Sequence, residues 1–93
     1  MTTKEIKYAC ERVSLANELI EQCEFLRSAD DLPECDMLAI SEIFKDELHI
    51  KHELLPKIDT LICKNLCTCE WVYRPNYMFL RYIPIETPCQ NVL

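Results

Sequence analysis

Apolar residues recur every seven positions near the start of the chain, at Ile6, Val13 and Ile20, with Ala9, Ala16 and Cys23 beside them and Leu19 and Leu26 widening the stripe. Such spacing belongs to one face of an α-helix. Thr2 and Glu5 stand in the pattern of a capping box, where hydroxyl and carboxylate satisfy orphan amides, so a helix over residues 2–27 is expected. Its small residues call for close approach by a second helix. Lys4, Lys7, Glu11, Glu18, Glu21 and Gln22 take the far side and read as a solvated face.

The run Ser28-Ala29-Asp30-Asp31-Leu32-Pro33 is a break, with Asp31 or Leu32 as cap and Pro33 in the first turn of a second helix over 33–54. Met37, Ile40, Phe44, Leu48 and Leu55 share one side of it, and Ala39, Ile43 and Ile50 form a second apolar face. That helix needs cover on two sides, from a central place in the fold or from a partner subunit. Pro56 should end or bend it. Leu55, Ile58, Leu61, Ile62 and Leu66 restart the stripe and predict a short third helix over 56–66, placed to pack back on the first.

From Glu70 the texture becomes aromatic and β-branched: Trp71-Val72-Tyr73, then Arg74-Pro75-Asn76, then Tyr77 to Ile83. A β-hairpin over 70–83 is expected, with Pro75 and Asn76 in the second and third positions of a type I turn. Both alternating sets, Trp71/Tyr73/Tyr77/Phe79 and Val72/Met78/Leu80/Tyr82, are apolar or aromatic. Only one can pack on the helices, so the other needs another partner, and an edge strand is free to pair with its twin. Pro84, Pro88, Gln90 and Asn91 predict an irregular tail over 84–93. The expected fold is α+β and mainly α, one domain over 1–93: an antiparallel helical hairpin, a short third helix and a C-terminal β-hairpin.

Composition narrows the function. The chain of 93 residues is 49% apolar and 28% charged, too hydrophobic for disorder and too interrupted by charge for a membrane span. It contains no glycine, which excludes phosphate loops, dinucleotide turns, nucleophile elbows and calcium loops. Net charge is −6; residues 1–62 carry 14 acids and 7 bases, residues 63–93 carry 2 acids and 3 bases. This balance disfavours nucleic acid and anionic membrane as direct partners. Seven cysteines, an odd number spread through helical segments, and a start at Met1–Lys7 without a secretory apolar core lead to the expectation of a reducing, cytoplasmic setting.

His49 and His52 followed by Cys63, Cys67 and Cys69 supply donor types that zinc prefers, although their spacing is not that of a common finger. Asp46, His49 and Glu53 share a helix face at spacings that any charged helix offers. The stronger surface is the hairpin. Trp71, Tyr73, Arg74, Tyr77, Arg81 and Tyr82 lie close together, and these types dominate interface hot spots. The reading is a non-enzymatic interaction module without a cofactor, binding another protein or itself through these residues and through the second apolar face at Ala39, Ile43 and Ile50. The alternatives are a zinc-stabilised adaptor, an acidic nucleic-acid mimic using Glu11, Glu18 and Glu21, and a small thiol enzyme. Size and texture suit a viral or accessory regulator.

Overall fold

The computed structural model describes residues 2–29 and 31–85: helices α1 (Thr3–Arg27) and α2 (Glu34–Cys63), then strands β1 (Cys67–Tyr73) and β2 (Met78–Pro84). The fold is α+β and mainly α, as the pattern predicts. Of the expected irregular tail, residues 86–93 lie outside the described residues.

At the start of α1, the Thr2 hydroxyl accepts the Glu5 N–H at 3.1 Å and donates to the Glu5 carboxylate at 3.2 Å. The buried stripe contains Ala9, Cys10, Val13, Ala16, Ile20 and Cys23. Leu26, expected to widen it, is exposed.

The short third helix is not present. Chain 34–63 is one helix, and Pro56 sits inside it. Proline removes one helical bond, leaving the His52 carbonyl without its donor. Both His52 and Pro56 are exposed, so the missing bond lies on the solvent side of the helix. The apolar stripe continues in phase across the proline: Ile58 and Leu61 are fully buried in the same core as Leu54 and Leu55. Tertiary packing therefore outweighs the local break. The start also differs from expectation, since Pro33 is the N-cap residue rather than a first-turn residue, with no side-chain cap; Glu34 and Asp36 in the first turn complement the helix dipole instead.

A glycine-free helix end comes from Asn65, at φ 58°. The Leu66 N–H reaches the Leu61 carbonyl at 2.8 Å and the Asn65 N–H reaches Ile62 at 3.0 Å, the pair of bonds of a Schellman motif. Asparagine tolerates the left-handed region better than other residues with a Cβ, and Leu66 packs on the core beside Leu61. This sharp end lets β1 begin at Cys67, three residues before the predicted start, so Cys67 and Cys69 belong to a strand rather than to a helix end.

The strands form an antiparallel ribbon that pairs Cys67 with Pro84, Cys69 with Tyr82, Trp71 with Leu80 and Tyr73 with Met78. This corrects the expected faces. Trp71 and Tyr73 share a face with Met78, Leu80 and Tyr82, while Phe79 sits opposite Val72. The two-residue loop Pro75-Asn76 joins Arg74 to Tyr77, whose carbonyl accepts the Arg74 N–H at 2.9 Å; an even-numbered loop shifts the cross-strand parity by one.

Helix α1, not α2, is the central element. Antiparallel α2 packs along one side of it and β2 along another, whereas α2 barely touches β1. The core joins Ala9, Cys10 and Val13 of α1 to Ile58 and Leu61 of α2 and Cys67 of β1. Before Ile58, the sole buried residue of α2 is Glu47. The molecule is accordingly long, 58 × 26 × 18 Å, with a radius of gyration of 16.1 Å; a globule of this length would have about 12 Å. Among the described residues no helix is long and apolar enough to cross a membrane.

Candidate functional site

A two-stranded ribbon has two outer edges, and this protein treats them differently. On β2, the Ser14 hydroxyl accepts the Tyr82 N–H at 2.8 Å and donates to the Cys10 carbonyl at 2.6 Å, and the Asn17 amide donates to the Leu80 carbonyl at 2.8 Å. Side chains of α1 thus stand where a third strand would pair. Because Leu80 and Tyr82 point their backbone groups outward, Phe79, Arg81 and Ile83 must be the residues bonded to β1. The flanking bonds fit that parity: Arg74 N–H to Tyr77 at 2.9 Å, and Ile85 N–H to Leu66 at 2.9 Å.

The same alternation makes Cys69, Trp71 and Tyr73 the outward-facing residues of β1. Among the described residues no helix side chain bonds to their backbone groups, although Trp71 shares a cleft with Glu21 of α1 and Lys51 of α2. Trp71 is 54% exposed and Tyr73 71% exposed, and Met78, opposite Tyr73, is exposed on the same face. Strand edges are normally blunted by lysine, proline or a bulge. Here β1 reads CTCEWVY, with none of these.

The six predicted anchors divide. Trp71 and Tyr73 stand free on β1. The Tyr77 hydroxyl donates to Glu18 at 2.9 Å and accepts from the Gln22 amide at 2.8 Å. Arg74 pairs with Glu18 at 3.1 Å and lies over the Phe79 ring. These two tie the turn to α1. Arg81 pairs with Glu70 across the ribbon, and Tyr82 packs against the core. The second apolar face at Ala39, Ile43 and Ile50 lies on α2, where Ala39 and Ile43 are exposed and Ile50 half-buried. Sequence reasoning missed Ser14 and Asn17, whose polar groups on a buried helix face were the available signal.

The zinc donors do not converge. His49 pairs with Glu53 at 3.0 Å on the exposed side of α2. Cys63 lies fourteen residues further along the helix, about 21 Å away. Cys67 is buried in contact with Cys10, and Cys69 is exposed on β1. Among the described residues no three histidine, cysteine or acidic side chains come together in a way that could hold a metal. Of the acidic set, Glu11 is exposed, Glu18 is engaged by Arg74 and Tyr77, and Glu21 lines a cleft with Lys51 and Trp71. An apolar groove of about 430 Å³ lies under the turn between Phe25, Leu26, Pro75 and Tyr77, and its lining includes no histidine, cysteine or carboxylate.

Burial governs the inner thiols. It pushes Cys10 up from 9.0 to about 12, helped by the neighbouring Cys67, and it raises Cys23 and Cys67 as well. Since the unfolded thiol ionises first, Cys10 contributes stability that is whole below about pH 9 and is lost as pH climbs toward 12. Thermal midpoints measured from pH 7 to pH 11 should hold level and then fall, and Cys10→Ala should fall less steeply above pH 9. Equal alkaline slopes in the two proteins would rule out this role for Cys10.

Comparison with known protein families, with curated proteins and with solved structures finds no match to this chain.

Proposed function

We propose that this protein is a non-enzymatic interaction module that binds another protein by adding one of the partner's extended segments to the outer edge of β1. The observation that carries the reading is the asymmetry of the ribbon. One edge is satisfied by Ser14 and Asn17, while at the other, among the described residues, nothing pairs with the outward backbone donors and acceptors beside exposed Trp71 and Tyr73. Strand addition uses main-chain bonds for affinity and alternate side chains for specificity. Trp71 and Tyr73, two residues apart on one face, would supply the anchors, with Met78 extending the apolar surface. Arg74 and Tyr77 act indirectly, by clamping the turn to α1.

The test uses a partner isolated by affinity capture from the native source. Cys69→Pro removes an outward N–H while leaving the β1–β2 ladder intact, and Trp71→Ala removes an anchor. Each should weaken binding by about 30-fold, the effect of losing a hot spot worth about 2 kcal/mol. Hydrogen exchange at Cys69, Trp71 and Tyr73 should slow when the partner binds. A partner that binds both variants normally and protects amides elsewhere would sink the proposal.

A further inference from the structure

A second surface lies on the side of the helical hairpin away from the ribbon. On α1, Tyr8, Arg12, Leu15, Leu19 and Leu26 fall at intervals of four, three, four and seven, a continuous stripe at coiled-coil spacing. Tyr8, Leu15 and Leu26 are 61%, 48% and 41% exposed. The ribbon docks through Ser14 and Asn17, on the other side of α1. On α2, Ala39, Ile43, Glu47 and Ile50 form a matching stripe, with Ile43 45% exposed. The ion pair shows that the two stripes share one side, because Arg12 of the first reaches Glu47 of the second at 2.8 Å.

We propose that this face binds a second copy of the chain, two helical hairpins closing into a four-helix bundle with the ribbons outside. Two observations favour a second copy. The face runs nineteen residues along α1, Tyr8 to Leu26, or about 27 Å, and from Ala39 to Ile50 on α2, or about 17 Å, with each helix about 10 Å wide. That projects to roughly 400 Å², the scale at which an exposed apolar patch marks an interface.

The second observation is charge. The patch holds one cation and one anion, Arg12 and Glu47, toward the Tyr8 end of the α1 stripe, so a two-fold axis through the pair sets Arg12 of each copy against Glu47 of the other, a self-complementary arrangement. Arg12 Nη1 and Glu47 Oε1 are themselves buried and have no hydrogen-bond partner among the described residues, so the pair is sealed between the helices on that side. Such a polar pair in an apolar seam also fixes register.

Light scattering on the full chain across a roughly hundredfold concentration range tests this. The mass should be twice 11.0 kDa and fall toward 11.0 kDa on dilution. Leu15→Lys and Ile43→Lys, at exposed positions, should each weaken the dimer by about 30-fold with helicity by circular dichroism retained. Leu15→Gln provides a gentler variant read in the same way if lysine disturbs folding. Trp71→Ala and Cys69→Pro should leave the mass unchanged, which separates this surface from the β1 edge. A wild-type protein that is monomeric throughout overturns the proposal. So does a dimer that survives the Leu15 and Ile43 substitutions or is lost with Cys69→Pro.

Discussion

Replacing Glu47 by alanine is expected to cost the fold about 3 kcal/mol, at the lower end of what breaking a buried ion pair costs, because neither partner is wholly sealed. The loss has a specific cause. Arg12 stays charged, its pKa raised further by the hydrogen bond to Glu47, so removing the carboxylate strands a guanidinium between two helices. Burying two charges was itself costly. The double variant Arg12→Met with Glu47→Leu should therefore recover most of the loss, and denaturant midpoints at one fixed protein concentration give the comparison. A double variant as unstable as Glu47→Ala would show that the pair does more than offset its own desolvation.

The combination Ser14→Ala with Asn17→Ala should cost about 3 kcal/mol as well, through the ribbon rather than the helix pair. Ser14 is buried and serves both the Tyr82 N–H and the Cys10 carbonyl; Asn17 is buried and serves Leu80. Leaving a buried backbone group unpaired costs about 1–3 kcal/mol, and the exposure of part of Tyr82 lowers that figure. Hydrogen exchange offers a sharper readout than stability. In the native protein the Tyr82 amide, although on an outer edge, should exchange slowly, and in the double variant it should exchange at least tenfold faster. Ser14→Thr keeps the hydroxyl and should behave much like the native chain. If the double variant keeps both its midpoint and its slow Tyr82 amide, α1 does not hold the ribbon through these groups.

These two predictions involve residues that periodicity passed over. Arg12 falls inside an otherwise apolar stripe, and Glu47 stands between Ile43 and Ile50; neither pattern says that they meet across 35 positions. Ser14 and Asn17 look like helix residues of no special use until β2 is laid beside them. The exposure of the anchors was equally hidden. Six aromatic and arginine residues marked the hairpin as a surface, yet four of them are engaged within the chain and two remain free.

Pro56 shows the limit from the other direction. Local rules read it as a terminus, since proline deletes a bond and constrains the residue before it. The helix continues because Ile58 and Leu61 bury fully in the core beside Leu54 and Leu55, while His52 and Pro56, around the missing bond, are exposed. Burying two large side chains is worth more than one lost hydrogen bond.

What the sequence determined by itself is what short-range chemistry can specify. The cap at Thr2, the buried stripe of α1, the break before Glu34, the Pro75-Asn76 turn and the absence of any glycine-dependent site are all local, each requiring neighbours only a turn away. The tertiary structure decided the rest: that α1 is the central element, that the helix runs through Pro56, that α1 side chains pair with the β2 edge rather than the β1 edge, and that a two-residue loop places Trp71 and Tyr73 opposite Leu80 and Met78. Each of these depends on which distant surfaces meet, and the energy of that meeting is absent from any window of the chain.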